Sequence, residues 1–262
     1  SLAAPLSARE LLQTLQRGDV KTYQLTLLEG WTFQQALNHL QEQEKLSATL
    51  AGLNAQQLSA ALALEGLNPE GLFFPDTYQY VYGDSDVTIL KRARKLMTEV
   101  LDEAWSNRAE SLPYNSAYEA LIMASIVERE SGHASEREDI AGVFVRRLRK
   151  GMRLQTDPTV IYGMGVAYDG NLRKKDLRKP TPYNTYVIKG LPPTPIALPG
   201  KEAIEATMHP APGDALYFVA KGDGSHQFSA SLEEHNRAVQ HYQVKARTSD
   251  YRSAPATQKN KE

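Results

Sequence analysis

The stretch LIMASIVERESG (residues 121–132) ends an apolar run with two glutamates, Glu128 and Glu130. A run of this kind predicts a core helix over 116–131. Successive residues of an α-helix are about 100° apart, so the two carboxylates point roughly 160° apart and cannot share a face. Ile126 and Val127 place Glu130 on the apolar stripe. Glu128 is predicted to lie on the opposite side, in contact with solvent.

The predicted position of Glu130 has a chemical consequence. A carboxylate set against aliphatic side chains loses hydration, which raises its pKa and suits it to act as a general acid near neutral pH. A second interpretation is an ion pair with Arg129, Arg146 or Arg153 at a helix end. A third is that the helix boundary is misplaced. The pattern alone leaves all three open.

Downstream of this helix, the sequence predicts a mainly helical region that closes with a hairpin. Ser135 and Glu138 have capping-box spacing before a helix over 135–150. Prolines and glycines then predict loops over 151–213. The run 215–231 predicts a β-hairpin, a closing helix follows over 232–243, and the polar tail 246–262 is predicted to be disordered.

Upstream, the chain reads as a small mixed module. Its predicted elements are a helix over 7–17, a strand within 20–30, a helix over 32–43 capped by Thr32, and interrupted helix over 47–67. An irregular joint over 68–86 and a long helix over 87–107 follow. The predicted class is therefore α+β, with a module over 1–68, a main domain over 69–245 and a tail over 246–262.

Composition removes several classes of protein. The chain has 262 residues, 41% of them hydrophobic, a net charge of −1 and no cysteine. Because the net charge is close to zero, no long-range electrostatic field would attract nucleic acid. The basic runs at 146–153 and 172–179 are typical of solvated surfaces. The sequence contains no run of about 18 apolar residues, which is the length that would predict a membrane span. The start without methionine or signal pattern leads us to expect a trimmed or mature form.

Two further clusters could line a cleft. Gln155 and Asp157 lie in GMRLQTDPTVIYG (151–163), where Asp157 or Thr156 could cap a helix from Pro158. With Tyr162, they offer the amide, carboxylate and aromatic groups that suit sugar rings. An ordinary polar loop would look the same.

The second of these clusters is TPYNTYVIKGLPPTPIALPG (181–200), which brings together Tyr183, Asn184 and Tyr186. Prolines fix its backbone, so it could form a rigid cleft wall or simply pack against helices. No metal or cofactor is predicted. His235 and His241 are six apart, the wrong spacing for one helical face, and no nucleophile elbow or phosphate loop occurs.

Taken together, these motifs resemble a known family, the YceG-like endolytic murein transglycosylases. The resemblance covers about 120–240, reaches back to EGLFFPDTYQY (70–80), and includes IVERES (126–131). Its other segments are GVFVRRLRKGMRLQTDPTVIYGMG (142–165), PYNTYVIKGLPPTPIALPG (182–200), LYFVAKGDGSHQFS (216–229) and EHN (234–236). Soluble lytic transglycosylases have Gly-Leu-Met-Gln at the position of Met152, Arg153, Leu154 and Gln155, so this chain departs from their pattern at the three residues before the glutamine.

The resemblance implies a LysM-like module followed by a lysozyme-like, mainly helical catalytic domain with a β-hairpin. It implies that Glu130 is the acid–base residue for cleavage of peptidoglycan glycan strands into 1,6-anhydro ends, without cofactor or metal. The implied contacts to the strand are Ser131, Gln155, Asp157, Tyr162, Tyr183, Asn184 and Tyr186.

The family also implies a cellular setting. Its members carry an N-terminal membrane anchor, so we expect the periplasmic side of the bacterial inner membrane. There the protein would terminate nascent strands beside synthases such as penicillin-binding proteins. Two alternatives stay open: a non-catalytic glycan-binding scaffold, and a hydrolytic muramidase in which Asp157 is a second carboxylate.

Overall fold

A computed structural model describes residues 20–245, together with residue 9. The predicted helix over 7–17 and the predicted tail over 246–262 lie outside the described residues. Helices and two small antiparallel sheets make up the described chain, so the α+β class is confirmed. No helix among the described residues is long and apolar enough to cross a membrane.

The first sheet joins β1 (Thr22–Thr26) to β2 (Thr77–Val81), antiparallel, with Thr22 opposite Val81. Alternate side chains enter the core, where Leu25, Tyr78 and Tyr80 are buried. The strand β2 falls within the segment predicted to be an irregular joint, so that prediction missed it. Residue 68 lies between the paired strands, and the division of the chain there remains a prediction.

Helix α1 (Phe33–Gln41) confirms the cap at Thr32, which Gln35 completes as a capping box. Helix α2 (Ala55–Ala61) is shorter than the predicted 47–67, which is wrong at both ends. After the helix, Ala63 and Glu65 have positive φ, which a right-handed helix excludes. Before it, residues 47–54 are not helical either. The reason is Asp86, whose buried carboxylate accepts the backbone N–H groups of Thr49 and Leu50, each at 3.0 Å. These two N–H groups therefore donate to a side chain that is distant in sequence, and not to carbonyl groups of a helix.

Two helices confirm the central predictions. Helix α3 (Asp86–Ser106) is capped by Ser85, and α4 (Ala117–Glu130) is capped by Ser116. Every residue of α4 from 120 to 127 is buried. The middle of the helix is thus covered on all sides rather than along one stripe, and only its two ends reach a surface.

The following segment departs from prediction at its start. A 3-10 turn (Ala134–Glu136) leads into helix α5 (Arg137–Arg149), and the predicted capping box of Ser135 and Glu138 does not form. Glu136 instead accepts two hydrogen bonds from His226, from its backbone N–H at 2.9 Å and through Nδ1 at 2.8 Å. This contact with a distant strand sets where the helix begins.

The stretch 151–213 contains more than loops. Helix α6 (Asp157–Met164) begins beside Pro158 as predicted, but the sequence missed helix α7 (Lys201–Met208). Helix α7 packs against both α4 and α5. Prolines and Gly200 just before it hide its start in the sequence.

The chain closes as predicted. Strands β3 (Tyr217–Ala220) and β4 (His226–Ser229) form the hairpin, and helix α8 (Leu232–Val239) starts from a capping box of Ser231 and Glu234. A π-helical segment, Gln240–Lys245, ends the described chain. One continuous apolar core joins the N-terminal sheet to α4, and it contains Leu25 and Tyr78 of the sheet together with Leu121 and Ile126 of α4.

Candidate active site

Glu130 is the last residue of α4, where the buried helix opens onto the loop before α6. The residue is partly exposed. Protein nevertheless surrounds its carboxylate closely, and the Thr156 hydroxyl donates a hydrogen bond to Oε1. Burial raises the pKa of the Glu130 carboxyl to about 7, while the Thr156 hydrogen bond works against that rise. A group with this pKa can both give and take a proton at neutral pH.

Charges around Glu130 act in both directions. Asp157 raises the pKa of the Glu130 carboxyl further, whereas Arg129 and Arg147 lower it. Within the described chain, no cation lies within ion-pairing distance of this carboxylate. The ion-pair interpretation of Glu130 therefore has no support, and the observed arrangement matches the desolvated acid.

Glu128 corrects the prediction that it is a solvated residue. Its side chain is only 8% exposed. It accepts the Gly200 N–H at 3.1 Å and lies 3.6 Å from the guanidinium of Arg137. Burial raises the pKa of the Glu128 carboxyl. The prediction is wrong because α7 covers the face of α4 that helical geometry alone assigned to solvent.

The loop before α6 brings the Thr156 hydroxyl to Glu130. Gln155 has a left-handed backbone, with φ of 54°, and its side chain is exposed between buried Leu154 and Thr156. Its N–H donates to the Thr185 carbonyl at 3.1 Å, and the Thr156 N–H donates to the Thr185 hydroxyl at 3.0 Å. Ala63, Glu65 and Ser111 have a similar φ, so the contacts to Thr185 and the neighbouring Thr156, not the backbone conformation alone, connect Gln155 to Glu130.

Asp157 and Tyr186 form a pair on the same side as Glu130. The Tyr186 hydroxyl donates to Asp157 Oδ1 at 2.6 Å. Burial raises the pKa of the Tyr186 hydroxyl, and the charges of Asp157 and Glu130 raise it further. The structure thus brings Gln155, Asp157 and Tyr186 together around Glu130.

Two of the predicted contact residues are internal. Asn184 is fully buried, and its amide donates to the carbonyls of Asp176 at 3.1 Å and Lys179 at 2.7 Å. Its Oδ1 also accepts the Tyr186 N–H at 3.0 Å. The Ser131 hydroxyl donates to the Val127 carbonyl at 2.7 Å. Both side chains fix local backbone, which argues against their predicted contact with substrate.

Tyr162 and Tyr183 belong to a neighbouring cluster further along α6. Their ring centroids lie 5.0 Å apart, and the Tyr183 hydroxyl hydrogen-bonds the Thr194 hydroxyl at 2.9 Å. The cluster also contains Glu70, which the sequence analysis missed. Glu70 is 4% exposed and accepts the Phe33 N–H at 2.8 Å. Burial raises the pKa of the Glu70 carboxyl to about 7, and the Tyr162 hydroxyl lowers it.

Three residues around the site escaped the sequence analysis as functional residues: Thr185, Arg147 and Glu70. Thr185 could have been found from its position between Asn184 and Tyr186, two of the predicted contact residues. Arg147 lies in the basic run 146–153, which is typical of a solvated surface. Glu70 lies in the segment 68–86, which was predicted to be an irregular joint. Among the described residues, no group of three histidine, aspartate or glutamate side chains could hold a metal ion.

The fold and the site define an α+β protein with a desolvated carboxyl of raised pKa at the open end of a buried helix. The model of the YceG-like family matches residues 1–241, and the chain belongs to that family. The resemblance seen in the sequence is thereby confirmed.

Relatives of this chain carry names that state an activity. The endolytic murein transglycosylase of Bacillus subtilis (strain 168) is 40% identical over 173 residues, covering 66% of this chain and 48% of the relative. That of Streptococcus pneumoniae serotype 2 (strain D39) is 30% identical over 273 residues, covering 91% of this chain and 49% of the relative. The chain therefore spans about half the length of the curated relatives it matches.

A solved structure supports the fold. A crystal structure of a YceG-like protein from Listeria monocytogenes superposes with a TM-score of 0.69 and 31% sequence identity. The match covers 87% of this chain and 80% of the Listeria chain. The overall fold is thus shared with the Listeria protein.

Proposed function

We propose that this chain is an endolytic lytic transglycosylase that cleaves the β-1,4 bond from N-acetylmuramic acid to N-acetylglucosamine in peptidoglycan. The observation that carries the proposal is the Glu130 carboxyl, which is desolvated, held by Thr156, without an ion-pair partner in the described chain, and raised in pKa to about 7. The names of the relatives point to the same activity.

The reaction needs only one protein carboxyl. Protonated Glu130 gives its proton to the glycosidic oxygen, and the bond from that oxygen to the muramyl C1 breaks. The C6 hydroxyl of the same muramyl residue then attacks C1, which forms the 1,6-anhydro ring. Glu130 takes the proton of that hydroxyl and returns to its initial state. A hydrolase of the usual kind would need a second carboxyl to activate water or to attack C1.

The other side chains around Glu130 suit strand binding. Gln155 offers an exposed amide, and Asp157 with Tyr186 forms a hydrogen-bonded edge beside Glu130. Tyr162 and Tyr183 supply half-buried aromatic rings further along α6. We assign Gln155, Asp157 and Tyr186 to sugars next to the cleaved bond, and the two tyrosines to a sugar further away.

The architecture and cellular role belong to the same proposal. We assign the N-terminal part a LysM-like role that adds contacts along the strand, and the helical part a lysozyme-like catalytic role. The resemblance further supports termination of nascent strands, synthase partners, and an anchored position on the periplasmic side of the inner membrane. No cofactor is required by this chemistry.

A hydrolytic muramidase is the rival that one observation favours, since the charge of Asp157 acts on Glu130. The test is to incubate the protein with purified peptidoglycan and identify new ends by mass spectrometry. Anhydromuramyl ends support the transglycosylase, and reducing muramyl ends support the muramidase. Binding without either product supports the non-catalytic scaffold.

Asp157→Asn separates the two enzymes. A transglycosylase with this change is expected to keep anhydromuramyl products, with turnover reduced by less than about tenfold, or roughly 1.4 kcal/mol in the barrier. The negative charge of Asp157 raises the pKa of Glu130. Without that charge Glu130 loses its proton at a lower pH, so the pH at which activity declines should shift downward. Loss of all product would instead assign Asp157 the role of a second catalytic carboxyl.

Gln155→Gly tests whether the strained residue serves the site. Glycine adopts a φ of 54° without strain, so the free energy of unfolding is expected to rise, by up to about 1 kcal/mol. Turnover is expected to fall by about tenfold, since the amide and the fixed backbone are lost. Urea unfolding and product release measure the two effects. Gln155→Asn is the control, because asparagine tolerates this backbone and keeps an amide. Wild-type turnover in Gln155→Gly would remove Gln155 from the site.

A further inference from the structure

Arg147 lies at the centre of three segments that meet behind the candidate site. It belongs to α5 and is only 7% exposed. Its Nε donates to the Leu216 carbonyl at 2.6 Å, just before the hairpin. Its Nη1 donates to the carbonyls of Leu154 at 2.7 Å and Arg153 at 3.2 Å, and lies 3.5 Å from Gln155 Oε1.

The guanidinium of Arg147 is charged but has no carboxylate partner. Within the described chain it forms no ion pair, although buried cations are usually paired. Carbonyl oxygens and the Tyr217 ring, whose centroid lies 5.0 Å away, take the place of a counter-ion. His235 stacks on Tyr217, with ring centroids 5.2 Å apart. The positive charge is therefore not neutralised locally, and it acts on Glu130.

The carbonyls bound by Arg147 directly precede the loop that serves Glu130. Leu154 is followed by Gln155, with its left-handed backbone, and by Thr156, which donates to the Glu130 carboxylate. Thr185 holds the N–H groups of Gln155 and Thr156. Arg147 thus binds the carbonyl groups on one flank of this loop, and Thr185 binds the N–H groups that follow.

We propose that Arg147 is a positioning residue, which holds residues 153–155 so that the Thr156 hydroxyl meets Glu130, and which keeps a positive charge directed at that carboxylate. The proposal rests on the proposed function of Glu130 for its kinetic consequence, whereas its geometric part can be measured without activity. A planar guanidinium with several fixed donors suits this task, and a lysine, with a single ammonium group, does not.

The electrostatic part depends on every charged or titratable group that faces Glu130: Arg129 on α4, Arg147 on α5, Asp157 on α6 and Tyr186 on the loop after α6. The two arginines oppose Asp157 and the effect of burial. With Arg147 neutralised, Arg129 is the one cation of the described chain left to oppose them beside the Thr156 hydrogen bond, and the pKa of Glu130 rises. A general acid with a higher pKa stays protonated to higher pH, so the descending limb of the activity profile moves upward in pH.

The test compares Arg147→Lys and Arg147→Gln with Arg146→Lys in the whole chain. Arg146 is a matched control, since its guanidinium also binds backbone carbonyls, those of Ala215 at 2.6 Å and Ala211 at 2.9 Å, but none in the loop of the site. Folding of each variant is checked by thermal melting. Turnover of purified glycan strands is measured across pH, and amide hydrogen exchange is followed at residues 153–157.

Arg147→Lys is expected to lose about tenfold in kcat and to exchange the Gln155 and Thr156 amides faster. Its descending limb should move slightly to higher pH, because a displaced Thr156 hydroxyl no longer lowers the pKa of Glu130. Arg147→Gln is expected to lose at least as much and to move that limb further to higher pH. Arg146→Lys should change kcat by less than twofold and leave exchange at 153–157 unchanged.

Equal behaviour of Arg147→Lys and Arg146→Lys in rate and exchange would overturn the positioning role. A limb that moves no further in Arg147→Gln than in Arg147→Lys would overturn the electrostatic role. If Arg147→Gln does not fold, Arg147→Lys still decides the positioning role. Failure of the proposed function looks different, because the wild type itself would then release no anhydromuramyl ends. In that case, faster exchange in Arg147→Lys alone would still support the positioning role, and unchanged exchange would refute it.

Discussion

Glu130→Gln is expected to reduce turnover of peptidoglycan by at least about a thousandfold, or roughly 4 kcal/mol in the barrier. Glutamine keeps the shape of the side chain and can still accept a hydrogen bond from Thr156, but it has no proton to give to the leaving oxygen. The measurement is the rate at which anhydromuramyl ends form from purified strands. Binding of the strand should remain close to that of the wild type.

Glu128→Gln is the matched control for this variant. Glu128 lies on the same helix, is more buried than most carboxylates, and contacts Gly200 and Arg137 instead of the cleft. We expect turnover within about fivefold of the wild type, roughly 1 kcal/mol in the barrier. An equal loss in both variants would show that the effect is structural. Turnover above a tenth of the wild type in Glu130→Gln would remove Glu130 as the acid.

Glu130→Gln is also expected to change how the stability of the protein depends on pH. The pKa of Glu130 rises from 4.5 to about 7 in the folded chain, so the unfolded state releases the proton more readily. The wild type therefore loses stability as pH rises from about 4.5 to 7, by linkage on the order of 2 kcal/mol after allowance for solvent. Glu130→Gln carries no such charge. Urea unfolding should show similar stability at pH 4 and a more stable variant at pH 8.

Local patterns were enough to predict much of the fold. The cap at Thr32 is decided by residues three positions apart, which the sequence displays directly. The same spacing at Ser135 and Glu138 failed, because Glu136 binds His226 on a distant strand. The hairpin depends on a short turn around Gly222 and Gly224, both with positive φ. These features are decided within a few residues, so periodicity and turn chemistry are sufficient to locate them.

Helical periodicity selected Glu130, but for a reason that holds only in part. It assumed one apolar stripe on α4, whereas the helix is covered on all sides. Glu128 is buried by a contact with Gly200, 72 residues away, and no local pattern reports such a contact. What distinguishes the two glutamates is their partners: Glu128 faces Arg137, and Glu130 faces the Thr156 hydroxyl. Tertiary packing, not helix geometry alone, therefore gives the two carboxyls their different surroundings.

Glu70→Ala is expected to destabilise the chain by about 2–3 kcal/mol at pH 5. Glu70 accepts the first N–H of α1, from Phe33, at 2.8 Å, and lies beside the Tyr162 hydroxyl of α6. Alanine leaves that N–H buried without an acceptor and opens a cavity where the carboxyl stood. The change would weaken the contact between α1 and α6, and the first turn of α6 carries Asp157. Urea unfolding at pH 5 and pH 8 measures it.

The pH dependence of this loss follows from the raised pKa of Glu70, which is about 7. At pH 5 the folded wild type holds the carboxyl protonated and gains the most from it. Above pH 7 the group is ionised in a buried place, so the wild type is weakened and the cost of Glu70→Ala shrinks. Glu70→Gln keeps the acceptor and the volume, and should match the wild type at pH 5 within about 1 kcal/mol and exceed it at pH 8. Glu44→Ala, at a carboxylate whose side chain is 86% exposed, should change stability by less than about 0.5 kcal/mol. A cost of Glu70→Ala that grows from pH 5 to pH 8 would mean that the ionised carboxylate stabilises the fold, contrary to the desolvation argument.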